Sequence, residues 1–143
     1  MARDPLAVLS RIRGAAVTEA SQGLAQAIAS ELQAAMRLDE HRIHMADEQS
    51  EVVGTELLEA FAAWLPHARN HAEHLQTALL GEKARVRRLQ QILVDRRIEA
   101  EAVAKALQGR EAEVRLAQGK REQAAMDEAA GRIRWRRTSD SIG

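Results

Sequence analysis

Between Leu58 and Ala124 the chain repeats in alternating steps of three and four residues, without a slip. The apolar members are Leu58, Phe61, Leu65, Ala68, Ala72, Leu75, Leu79, Val86, Leu89, Leu93, Ala100, Val103, Leu107, Val114, Ala117 and Ala124. Glu82, Arg96, Arg110 and Arg121 hold the other positions of the same frame. A seven-residue repeat of this length is the signature of a coiled-coil seam. So narrow a stripe cannot bury itself, and something else must cover it.

Composition agrees. The 143 residues hold one Phe, two Trp and no Tyr, and much of the apolar fraction is Ala. Bulky side chains for a broad core are scarce, whereas long helices are well served by Ala, Leu, Glu, Gln and Arg. Turn signals at strand spacing are missing. These features predict an all-α fold of two long helices forming an antiparallel coiled-coil hairpin.

Asp4-Pro5 starts the first helix, with a capping side chain followed by Pro at the first helical position. Leu6, Leu9, Ile12, Ala16, Ala20, Leu24, Ile28, Ala35, Leu38 and Met45 continue it at helical spacing, with a stutter of four-residue steps from Ile12 to Ile28. Gly54 suits the left-handed residue after a helix, and Thr55 suits the cap of the next. The expectation is one domain over 1–143: helix 5–52, tip near 53–56, helix 57–135 and a frayed tail 136–143. Gly81 is a rival tip, disfavoured because the seam passes it in phase. Pro66 removes one helical hydrogen bond, and predicts a kink or a restart of the second helix.

With the tip near Gly54, residues 5–52 pair with roughly 56–103, over about 70 Å at about 1.5 Å per residue. The seam from Leu107 through Ala124 towards Ile133 then has no partner within the chain. The charges suit such a pairing. Residues 1–70 carry six Arg against ten Asp and Glu, while 71–143 carry fifteen Lys and Arg against eleven acids, so the arms have net charges of −4 and +4. Such exposed pairs bias register more than they stabilise.

Several groupings have both a chemical and a bland reading. The histidines fall in two groups, His41 with His44 and then His67, His71 and His74 on one helical face, and the tip places residue 41 roughly opposite residue 67. Such imidazoles suit Zn²⁺ or a pH response, but polar positions near a turn explain them equally, and no metal site is assigned. Arg132, Arg134, Arg136 and Arg137 surround Trp135; they suit an anionic surface, or the negative end of a helix dipole. Phe61, Trp64 and Leu65 form the largest apolar group, and Trp64 lies beside the seam as a candidate anchor. No phosphate-binding loop, nucleophile motif or zinc-protease motif occurs, and there is no cysteine, so neither catalytic residues nor a cofactor is expected. No apolar run approaches the roughly 20 residues of a membrane span, which predicts a soluble, cytoplasmic protein.

The segment Lys120-Arg121-Glu122-Gln123-Ala124-Ala125-Met126-Asp127-Glu128-Ala129-Ala130-Gly131-Arg132 resembles the C-terminal signature of the FliJ family. Asp4-Pro5-Leu6 through Arg13 is similar to that family's N-terminal helix, and Phe61-x-x-Trp64-Leu65 to its aromatic turn. Pro66 and the Ala-rich first arm depart from the pattern. The resemblance implies a two-helix antiparallel coiled coil in the flagellar type III export apparatus, like the central stalk of a rotary ATPase. It implies contact with the hexameric export ATPase, the cytoplasmic domain of the export gate and export chaperones, no nucleic acid, and only peripheral contact with the membrane through the gate. The gate-facing residues it implies are Phe61, Trp64, Leu65, Ala68, His71 and Leu75. On the ATPase side they are Arg121, Gln123, Met126, Asp127 and Ala130, joined by Arg110 as a charge in the unpaired seam. An injectisome stalk and an unrelated coiled-coil scaffold or homodimer are the alternatives.

Overall fold

A computed structural model describes residues 4–54 and 56–142, apart from the side chain of Ile142. Two helices pack as an antiparallel hairpin: α1, Pro5–Val52, and α2, Leu58–Ile142. Among the described residues there is no strand.

The helix ends follow from local chemistry. Asp4 Oδ1 accepts the Leu6 N–H at 3.1 Å, and the Asp4 carbonyl accepts the Val8 N–H at 3.1 Å, so the cap side chain and the first helical bond belong to one residue. At the other end of α1, Gly54 has φ +78°, the left-handed conformation that turns the chain out of a helix at little cost only for glycine. The first turn of α2 closes when the Phe61 N–H donates to the Leu57 carbonyl at 2.9 Å. The capping role expected of Thr55 lies outside the described residues.

Gly81 lies inside α2. Pro66 does too, and the helix runs through it rather than restarting. Proline strands the carbonyl four residues earlier, that of Ala62, and both residues are exposed, so water can satisfy it.

α2 also continues beyond Trp135 to Ile142, where the sequence reading had a tail from 136. Residues 132–142 contain neither Gly nor Pro. The Thr138 hydroxyl donates to the Arg134 carbonyl at 2.5 Å, and the Ser141 hydroxyl to the Thr138 carbonyl at 3.0 Å, so these side chains bond within the helix. Arg132 to Arg137 therefore stand at least one turn before the helix end, where the pull of its dipole has faded.

The packing forms two compact units, Ile12–Glu99 and Met1–Arg11 with Ala100–Gly143. In the first, Ala27, Leu38, Val52, Ala68, Val86 and Leu93 are buried. The α2 members Ala68, Val86 and Leu93 are seam residues, and Leu65, Ala72, Leu75, Leu79 and Leu89 flank them half-buried. Two helices share only one contact line, so the core is a single file of side chains. Ala27 is fully buried, which identifies a point where α1 comes close to its partner. Glu99 receives Arg13 of α1 at 2.9 Å and Arg96 of its own helix at 3.4 Å, so the seam charge Arg96 leans outward into this ion-pair fork. Glu82, another seam charge, is half-buried with Oε2 unbonded and Arg85 3.9 Å away.

In the second unit the start of α1 lies on α2 around Val103 and Leu107, both half-buried. The Asp4 carboxylate, besides capping α1, pairs with the Arg110 guanidinium. Every residue of α2 from Gln108 to Ser141 is exposed.

Candidate partner-binding surfaces

Near the turn, α1 and α2 bring together an aromatic and imidazole group that neither helix holds alone. The Trp64 ring meets His44 edge to face at 5.9 Å and Phe61 at 5.6 Å with a 44° tilt. His41 and His71 meet edge to face at 4.7 Å. His41 Nε2 donates to the Ala68 carbonyl at 2.8 Å, which fixes its tautomer when neutral and ties α1 to α2 one turn from Trp64. A cleft of about 300 Å³ opens beside this group, lined by His44, Glu48, Val52, Leu57, Ala60, Phe61 and Trp64.

The six residues expected to face the gate do not have equal access. Ala68 is 3% exposed and belongs to the hairpin's own packing. Phe61, Trp64, Leu65 and Leu75 are half-buried, and His71 is exposed. Trp64 is thus not a free anchor: its neighbours hold it in place with part of its surface open. The structure puts His41 against Ala68 and His71, next to the residue 67 expected roughly opposite it. Among the described residues no group of three or more His, Cys, Asp or Glu side chains is placed to hold a metal ion.

Far from the turn, within the second unit, the frame of the seam continues on bare helix. Arg110 is engaged by Asp4, while Arg121, Gln123, Met126, Asp127 and Ala130 are exposed, Met126 at 67%. Gln123 donates to Asp127 at 3.2 Å along its own helix, and Arg132 pairs with Glu128 at 3.7 Å. Val114, Leu116, Ile133 and Trp135 are each more than half exposed. A shallow recess of about 430 Å³ is lined by Arg110, Glu111, Val114 and Arg115. Beyond Arg110, the contacts among the described residues of this stretch are α2's own backbone bonds and side-chain pairs three or four residues apart.

Sequence reasoning grouped His44 with His41 but missed Glu48 and Val52, the rest of the α1 half of the turn cleft. A signal for it existed: with the turn at Gly54, residue 48 faces residue 61. It also assigned Asp4 to capping alone, whereas that carboxylate holds Arg110 as well.

A helical hairpin with clefts only a few side chains deep and one helix face left bare is a protein built to be bound, of the coiled-coil adaptor class. The chain belongs to the family described as the flagellar FliJ protein, whose sequence profile it matches over residues 1–139. Membership places it in flagellar protein export by the type III secretion route, as a structural component of that apparatus. No curated protein and no solved structure matches it. Among the described residues no helix is long and apolar enough to cross a membrane.

Proposed function

We propose that the chain is the stalk of the flagellar export apparatus, with the bare stretch of α2 seated in the bore of the hexameric export ATPase and the turn facing the cytoplasmic domain of the export gate. One observation carries the reading: the coiled-coil frame that α1 covers up to Leu107 runs on through more than thirty exposed residues of the same helix. A helix with no contacts of its own is expensive to keep straight and is normally stabilised by what it binds. A ring whose bore is lined by several copies of one surface supplies contacts all around, which suits a segment exposed on every side.

The half-open Trp64, held by His44 and Phe61, supports the turn as a second docking point. Export chaperones are further partners that the family implies. The place of action is the cytoplasmic face of the membrane, reached through the gate and not through lipid.

Capture on immobilised chain tests both assignments. The export ATPase is retained by the native chain and lost by Arg121→Glu with Asp127→Lys, while the gate domain is retained by both. Trp64→Ala weakens gate binding about tenfold or more, as expected for an aromatic anchor, with helicity unchanged by circular dichroism. Undiminished ATPase stimulation by the charge-reversed chain rejects the stalk, and undiminished gate binding by Trp64→Ala rejects the docking point.

A further inference from the structure

The bare stretch of α2 carries charges in an order that fits a second copy of itself. We propose that Arg110–Trp135 pairs antiparallel with the same stretch of another molecule, about a two-fold axis passing between Glu122 and Gln123.

The frame is the one that α1 uses further up the same helix, continued through Arg110, Val114, Ala117, Arg121, Ala124, Glu128, Gly131 and Trp135. In an antiparallel pair the residues flanking such a seam meet their counterparts across it. With the axis at this position, Glu113 meets Arg134 of the other copy and Lys120 meets Asp127. On the opposite flank Glu111 meets Arg132. Each charged pair is of opposite sign, and the symmetry makes each occur twice.

The seam itself is sterically matched. Val114 faces Gly131, Ala117 faces Glu128 and Arg121 faces Ala124, so each longer side chain lies over a small one. At the two ends Arg110 faces Trp135, where a guanidinium can stack on the indole. Trp135 is 73% exposed in the single chain, and Arg110 is held by Asp4 at the first turn of α1. The pairing therefore fills the seam up to the point where α1 begins to cover it. Beyond Trp135 the other copy would meet that first turn, so residues 136–142 leave the axis in the dimer.

Other arrangements are disfavoured by the same charges. Sliding one copy by a heptad sets Lys120 against Arg134 and Asp127 against Asp127, or Lys120 against Lys120 and Glu113 against Asp127. Parallel pairing stacks Arg110, Arg121 and Glu128 each on its own copy in the seam. Only Val114 and Trp135 bring apolar bulk, so the association is weak and reversible. Arg121 lies in this seam and Asp127 on its flank, so a chain paired in this way cannot present them to a ring.

Sedimentation equilibrium of the full chain alone tests this, and its outcome is independent of the ring assignment. The native chain is expected to show a reversible monomer–dimer equilibrium that weakens with added salt. Lys120→Glu, and separately Asp127→Lys, should each raise the dissociation constant about tenfold, because two attractions become two repulsions. An equimolar mixture of those two variants should dimerise as well as the native chain, since every 120–127 contact is then opposite in sign. That rescue also shows that neither variant is misfolded. Because the chain has no cysteine, Val114→Cys mixed with Gly131→Cys should form a mixed disulfide on mild oxidation. A native chain monomeric at several hundred micromolar, a mixture no tighter than its components, or Val114→Cys linking to itself overturns the proposal.

Discussion

The stretches of α2 around Leu93 and around Val114 obey the same heptad rule and have opposite fates. Leu93 is 6% exposed because α1 lies over it, and Val114 is 60% exposed because α1, which starts at Pro5 beside Arg110, does not reach it. A heptad pattern thus declares that a face is sticky but not what sticks to it. In the first unit the cover is intramolecular, so the seam contributes to folding. In the second, no described residue of α1 covers the seam beyond Arg110, so that part is open for binding. The same contrast separates the charges: Glu99 pairs with Arg13 across the helices as well as with Arg96 of its own, whereas those described from Lys120 to Arg137 pair, where they pair, only along α2.

The largest expected difference is in backbone amide exchange. Amides of α2 near Val86 and Leu93 should be protected on the order of a hundredfold or more over those from Gly119 to Ala130, because opening the bare helix disrupts no tertiary contact. Equal protection at concentrations where the chain is monomeric would mean that the two stretches are not distinct in stability. Leu93→Ala should cost about 2–3 kcal/mol in chemical denaturation, the lower range for a buried leucine because a single-file core can partly collapse. Val114→Ala should change stability by less than about 0.5 kcal/mol, since nothing covers it. Comparable losses at both positions would break the comparison outright.

Smaller effects sharpen it. Asp4→Ala should cost about 1 kcal/mol through the lost cap, while Asp4→Asn keeps a capping oxygen and forfeits only the Arg110 ion pair, worth a few tenths on so exposed a surface. Thermal melts of the two variants separate the cap from the charge. Gly119→Ala should increase helical ellipticity and stabilise the bare stretch by up to about 1 kcal/mol, since an added Cβ there meets nothing within 4 Å. A loss of helicity would mean that this glycine has a role within the chain.

Much of the hairpin was legible because its rules are local. Asp4-Pro5 starts a helix by capping and ring geometry, and Gly54 ends one because its left-handed φ is strained for other residues. The seam's phase through Pro66 and Gly81 showed that neither would reverse the chain. The candidate sites were less legible. Trp64 stood out by size alone, but what holds it, His44, comes from the other helix. The tail past Trp135 is expected to fray as chain ends do, whereas α2 runs on to Ile142 with the Thr138 and Ser141 side chains bonded to carbonyls inside the helix.

By itself the sequence determined two long helices, the place where they turn, and the face of α2 that must be covered, since each depends on residues within a few positions of one another. The tertiary structure alone decided which α1 residue meets which α2 residue: Asp4 with Arg110, Arg13 with Glu99, His41 with Ala68 and His71. The reason is physical. Contacts between the arms depend on how closely the backbones approach at small residues such as Ala27 and Ala68, and on how the stutter in α1 rotates its face, so a one-position change alters every pair along the hairpin.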